Sequence, residues 1–155
     1  MTLSTVAHDT FVIERTYNVP VAQVFQAWAD PNLKSRWFAG SADALGTAYE
    51  LDFRVGGREV NRGGPPGGPL YRYESEFRDI IPDQRIVYTY EMYADAARVS
   101  VSVATVQFNR VETRTRLVLT EQGVFFDGLD TVAQREEGTR SLLDSLASSL
   151  PGGRS

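Results

Sequence analysis

The stretch LVLTEQGVFFDGLDTVAQREEGTRSLLDSLASSL, residues 117–150, decides how this chain folds. It begins with a two-residue period, Leu117 and Leu119 lying on one face of a strand over Arg114–Glu121. It ends with a helical period, in which Val132, Leu142, Leu143, Leu146 and Leu150 form one apolar stripe. Asp127 or Asp130 is placed to cap that helix, since a carboxylate there accepts orphan N–H bonds and suits the positive helix end. Pro151-Gly152-Gly153 stops it. No other segment carries a long helical pattern, so any sheet built by the rest of the chain has one helix to cover it.

Reading back from residue 117, the period stays at two. Arg98–Phe108 carries Val99, Val101 and Val103, then Val106 and Phe108, a parity slip that predicts a bulge near Ala104. Arg85–Tyr93 places Ile86, Tyr88, Tyr90 and Met92 on one face. Tyr71–Ile81 alternates Tyr71, Tyr73 and Phe77 against Arg72, Glu74, Glu76 and Arg78, with Pro82-Asp83 as a tight turn after it. RGGPPGGP, residues 62–69, is too rich in Gly and Pro for a ladder and reads as a mobile hairpin loop, a candidate lid. The alternation that starts near Gly46 with Tyr49, Leu51, Phe53 and Val55 continues past Gly56-Gly57 to Val60. It reads as one strand with a bulge or sharp bend at the glycine pair.

At the other end, Thr10–Val19 sets Phe11, Ile13, Tyr17 and Val19 against polar positions, a strand with one wet face. Pro20 presets a helical turn, and Val21, Val24, Phe25 and Trp28 follow at helical spacing. Asp30-Pro31 restarts the pattern as an N-cap and first-turn proline, with Leu33 and Trp37 one turn apart. A loop over 39–46 follows. The order predicts an α+β domain over residues 10–150: a curved antiparallel sheet of about six to seven strands around a long C-terminal helix, with two short helices after strand one. Residues 1–9 read as a loose segment and 151–155 as a tail. A wide curved sheet under a narrow helix leaves space between them, and that space is expected to be an aromatic-lined pocket.

Composition narrows the function. The chain has 155 residues, no cysteine and a formal charge of −4. Thiolate nucleophiles, disulfides and Cys-ligated metal sites are therefore excluded, and scattered basic residues in an acidic chain argue against a nucleic-acid partner. No basic-then-apolar leader opens the sequence and no uninterrupted apolar run is long enough to span a membrane, so a cytoplasmic protein is expected. The lone lysine, Lys34, reads as a by-product of an arginine-biased composition.

Several strings together resemble the activator-of-Hsp90-ATPase-like branch of the SRPBCC superfamily, whose members share the START or Bet v 1-like helix-grip fold. They are FVIERTYNVPVAQVFQAWADP with RWF after it, LDFRVGGRE, IIPDQRIVYTYEM, RVSVSVATVQF, and LVLTEQGVFFDGLD running into REEGTRSLLDSLASSL. The resemblance spans about residues 10–150. It implies a cavity for lipids, sterols, polyketide-like or other apolar molecules and, from eukaryotic relatives, contact with an Hsp90-type chaperone.

The catalytic inventory is short. His8, the only histidine, falls in the N-terminal segment, and neither a metal-ligand spacing nor a G-x-S-x-G elbow occurs, so no metal and no cofactor are expected. Arg135, Glu136 and Glu137 read as a solvated helix face or helix ion pairs. The expected pocket wall comprises Trp37, Phe38, Tyr71, Tyr88, Tyr90, Met92, Val101 and Leu142, with Phe125 and Phe126 in the loop before the long helix, and Arg98 and Glu121 as its polar members. The function read from this set is binding of a small apolar or aromatic ligand by a monomer or homodimer. The alternatives are a cofactor-free cyclase or hydrolase using cavity Tyr and Glu, and stimulation of a chaperone ATPase by surface contact.

Overall fold

The computed structural model describes residues 4–39 and 48–151. Its elements are β1 (Val6–Tyr17), α1 (Val21–Ala29), α2 (Pro31–Phe38), β2 (Ala48–Leu51), β3 (Arg58–Gly63), β4 (Tyr71–Ile81), β5 (Arg85–Ala94), β6 (Ala97–Val111), β7 (Arg114–Phe126) and α3 (Val132–Ser149). The seven strands form one antiparallel sheet in the order β1-β7-β6-β5-β4-β3-β2. This is a meander from β2 to β7 that β1 joins at the far edge. The sheet curves around α3, the helix-grip arrangement expected from the order of elements.

The local reasons match the sequence. Asp30 Oδ1 accepts from the N–H groups of Asn32 and Leu33 at 2.9 and 3.1 Å, so it caps α2 directly in front of Pro31. Phe11, Ile13 and Tyr17 of β1 face inward with Val24 and Trp28 of α1 and Leu143 and Leu146 of α3. Tyr17 Oη donates to the Leu143 carbonyl at 3.1 Å and stitches β1 to α3. Two register shifts curl the sheet, one beside Arg78 in β4 and one beside Val99 in β6.

Four expectations are corrected. The segment before residue 10 is not loose from Val6 onward: Val6 pairs with Phe126 and His8 with Val124, so β1 starts early and β7 runs on to Phe126. Phe125 and Phe126 therefore stand in a strand, not a loop. The bulge in β6 sits at Val99 and not near Ala104, and from Ser100 to Phe108 the even positions face inward without a slip. The helix cap is Thr131, whose Oγ1 accepts from Gln134 N at 3.1 Å. Asp127, at φ +58°, instead accepts from Thr5 N at 2.9 Å, and Asp130 turns its carboxylate toward α3's Arg135.

The fourth correction concerns Gly56-Gly57. The chain reverses there, and β2 and β3 pair as a hairpin with Ala48 opposite Arg62. Gly56 takes φ +82°, and Gly57 N donates to the Arg54 carbonyl at 2.8 Å. β3 continues through Gly63, so the Pro-rich connection begins at Gly64, two residues later than expected. Part of the 39–46 loop, the first three residues and the tail beyond Pro151 lie outside the described residues. A Cβ on Gly57 would lie 2.1 Å from the Asp52 carbonyl oxygen, backbone against backbone. Gly57→Ala should accordingly cost about 1–3 kcal/mol of stability in urea unfolding. An unchanged midpoint would mean that the turn is not closed in this way.

Candidate functional site

Between the concave face of the sheet and α3 lies a cavity of about 290 Å³, at the lower edge of the roughly 300–1,000 Å³ range of small-molecule sites. It exists because the inner face is uneven. Over its first half β6 presents the small Ser100, Ser102 and Ala104 inward, and β7 presents Gly123 beside them. A Cβ on Gly123 would meet Ser102 Oγ at 3.0 Å and the Phe125 ring at 3.1 Å. These small side chains leave room beneath α3, which packs against β1 and α2, while the larger Tyr73, Tyr88, Tyr90 and Met92 of β4 and β5 form the opposite wall. Trp28, Trp37 and Phe38 close the end under α1 and α2.

Two buried ionic clusters flank this space. At the apolar end Lys34, fully buried, donates to Glu59 Oε1 at 2.7 Å, and Tyr49 Oη donates to Glu59 Oε2 at 2.6 Å. The Lys34 ammonium lies 4.4 Å from the Phe38 ring centre and 5.0, 5.7 and 5.9 Å from those of Trp28, Trp37 and Tyr88. All four rings line the cavity, so the ammonium fixes the wall from behind. Burial lowers the Lys34 pKa, and the Glu59 carboxylate opposes that shift.

At the polar end stands Arg135, only 8% exposed, on the same stripe of α3 as Thr139, Leu143 and Leu146. Its Nη1 donates to Tyr90 Oη at 2.9 Å, and its Nη2 donates to Ser100 Oγ at 2.9 Å and Asp130 Oδ2 at 3.0 Å. Tyr90 Oη in turn donates to Glu121 Oε2 at 2.7 Å. Glu121 comes within 3.8 Å of the guanidinium, which lies over the Phe125 ring. Burial raises the Glu121 pKa above the usual carboxylate value, while Tyr90 and Arg135 pull the other way. Burial and then the Glu121 carboxylate push the Tyr90 hydroxyl up. Chemically, this end offers a carboxyl group biased toward its neutral form, a phenol that stays protonated, and a guanidinium.

Of the residues expected to form the wall, Trp37, Phe38, Tyr88, Tyr90, Met92, Glu121 and Leu142 are brought together around the cavity. Five others are not. Val101 faces the convex side, because β6 is bulged at Val99 and its inward positions are the even ones. Arg98 and Phe126 share that outer surface, the guanidinium over the ring at 5.2 Å and 3.6 Å from Glu91. Tyr71 has inward parity but lies at the start of β4 and is 46% exposed. Phe125 is buried beneath Arg135 rather than on the open wall. His8 is exposed on β1.

Sequence reading missed Arg135, Tyr73, Trp28 and Lys34. Arg135 lies four residues before Thr139 and eight before Leu143, so the apolar stripe itself marks it as inward. Lys34 shares a helix face with Trp37 and Phe38. Trp28 Nε1 is buried with no hydrogen-bond partner among the described residues. Among the described residues no three His, Asp or Glu side chains are grouped to hold a metal ion, and no helix is long and apolar enough to cross a membrane.

A curved seven-stranded sheet gripping one long helix over an aromatic cavity defines a helix-grip protein. The chain belongs to the family described as Activator of Hsp90 ATPase homolog 1-like protein, whose model matches residues 18–150. Among solved structures it is similar to the Mll3558 protein of Rhizobium loti at 47% identity and TM-score 0.88, covering 94% of this chain and 99% of that one. It is also similar to an uncharacterized protein of Rhizobium leguminosarum at 41% identity and TM-score 0.89, covering 96% and 97%. CalU16 of Micromonospora echinospora shares the fold at 19% identity and TM-score 0.62, covering 96% and 86%. No curated protein matches the chain.

Two outcomes are expected. Lys34→Met leaves Glu59 buried without its counter-charge and should cost about 3–5 kcal/mol in chemical denaturation, whereas Lys34→Met combined with Glu59→Gln should recover much of that loss. Equal losses in the single and double variants would show that the pair does not matter. For Glu121 the sign follows from its raised pKa: the folded state holds the proton more tightly than the unfolded chain. That stabilisation is complete below the ordinary carboxylate range and fades as pH rises through the folded value. Glu121→Gln should therefore gain melting temperature relative to wild type as pH rises above the ordinary carboxylate range. A pH-independent difference would assign Glu121 an ordinary pKa.

Proposed function

We propose that the protein binds a small apolar or aromatic molecule in the cavity between its sheet and α3, in the cytoplasm. The observation that carries this reading is the cavity itself: a space of about 290 Å³ walled by Trp28, Trp37, Phe38, Tyr73, Tyr88 and Leu142, where close packing would ordinarily leave no void larger than a water. Membership of a family with this fold supports a ligand-binding role. The rings supply apolar area at low conformational cost, and the tyrosine hydroxyls supply orientation.

A second reading, an enzyme working by acid–base chemistry on a molecule in the same cavity, is favoured by one observation. Glu121 is buried, biased toward its neutral form, and hydrogen-bonded to Tyr90 at 2.7 Å. A carboxyl group tuned upward beside a phenol can give and retrieve a proton within a dry site. Both readings need occupancy of the same space.

Gly138 provides the test. It lines the mouth on α3, and a Cβ built there meets nothing within 4 Å. Gly138→Leu puts a side chain over the opening and replaces a mid-helix glycine, which by propensity alone adds up to about 1 kcal/mol of stability. Titration with N-phenyl-1-naphthylamine, a neutral apolar dye, should show one saturable site per wild-type chain, and Gly138→Leu should weaken it at least tenfold with an unchanged or higher melting temperature. Dye binding indifferent to Gly138→Leu, or no saturable binding by wild type, would count against the cavity as the site.

A further inference from the structure

Arg135 occupies a position that the helix pattern reserves for an apolar side chain. A buried ion pair is often less stabilising than apolar residues of similar volume, so packing alone gives no reason for a guanidinium there. Its partners are unequal. Tyr90 and Ser100 are neutral, and Glu121 lies 3.8 Å away and is biased toward its neutral form by burial. The carboxylate hydrogen-bonded to the guanidinium is Asp130, through Nη2 at 3.0 Å. Asp130 precedes the helix at the cavity mouth, and its side chain retains 22% of its exposure. Its other oxygen, Oδ1, accepts from Thr131 N at 2.7 Å. The rest of the cavity is aromatic or aliphatic, apart from Asn61, Gln134 and Thr139 at its margins.

We infer that the cavity selects an amphipathic carboxylic acid, an aryl or alkyl body with one carboxylate, whose head group replaces Asp130 on the Arg135 guanidinium while its body lies against Trp37, Phe38, Tyr73 and Leu142. This rests on the cavity being the binding site and adds the class of ligand. The guanidinium matches a carboxylate in a planar two-point contact that an amide, an ester or an alcohol does not reproduce with charge. The hydroxyls of Tyr90 and Ser100 flank the guanidinium and are in reach of the same head group.

The test uses matched probes on the full chain: 2-naphthylacetic acid, its primary amide and its methyl ester, each measured by displacement of N-phenyl-1-naphthylamine and by calorimetry at pH 7. The acid should bind wild type at least tenfold more tightly than the amide or ester. In Arg135→Gln the acid should lose that advantage to within about twofold, while the amide keeps its wild-type affinity; Arg135→Lys should keep part of it. Acid and amide of equal affinity for wild type, both displacing the dye, would overturn the carboxylate inference and leave the cavity reading standing. If dye and probes alike fail to bind, both fall together. The wild-type comparison decides the inference even where Arg135→Gln does not fold.

Discussion

The constraint on which this structure depends is a mismatch of widths. Seven antiparallel strands extend roughly 29 Å across the sheet, whereas α3 is about 10 Å wide and, at 18 residues, about 27 Å long. One helix cannot cover such a face if the face is flat. The chain meets the mismatch in three ways. Bulges beside Arg78 and Val99 curl the sheet, α1 and α2 fill one end, and α3 packs toward the β1 edge, where Tyr17 Oη donates to the Leu143 carbonyl. What remains uncovered, over β4 and β5, is the cavity.

The same mismatch explains why the aromatic residues concentrate where they do. Rings reach further across a gap than aliphatic side chains, and edge-to-face contacts hold them in place without filling the gap completely. Phe25 meets Phe53 and Phe108, Trp28 meets Trp37, and Phe38 meets Tyr73 at centroid separations between 4.9 and 5.7 Å. This run of rings begins in the packed core under α1 and ends at the open wall. Core and site are one apolar layer with two densities.

How much of this could be read from the residues follows from what periodicity reports. Alternation of large apolar and polar residues marked Tyr88, Tyr90 and Met92 correctly, and the parity of Leu117 and Leu119 carried over to Glu121. The same rule failed on β6, where the conspicuous Val99, Val101 and Val103 are respectively a bulge and two outward residues, while the inner face is Ser100, Ser102 and Ala104. A cavity floor made of small residues has no hydrophobic signature. Charge misled in the opposite sense. Lys34 and Arg135 sit at inward helical positions, but a charged side chain is assigned to solvent unless its partner is known, and Glu59 and Glu121 become their partners only through the sheet. The apolar run Tyr49, Leu51, Phe53 and Val55 ends at Gly56-Gly57 and Val60 stands on the other parity, a break that a turn produces and a single bent strand does not require.

The two buried cations illustrate how equal chemistry can have unequal roles. Lys34 and Glu59 are each 1% exposed, are closed off by four rings, and have no route by which either charge can be exchanged for another. Such a pair is strongly destabilising to break and contributes little beyond what apolar packing would, so its effect is to fix geometry: α2 is held against β3 with Trp37 and Phe38 at one defined distance from Tyr88. Arg135 is built differently. The guanidinium lies near the Phe125 and Tyr90 rings, two of its hydrogen bonds go to neutral hydroxyls, and the carboxylate bonded to it stands at the rim. A cation whose bonded counter-charge is solvent-accessible has a cheap alternative state, in which that carboxylate rehydrates and another anion takes its place. The closed pair shapes the cavity, and the open one is the group through which its contents can be chosen.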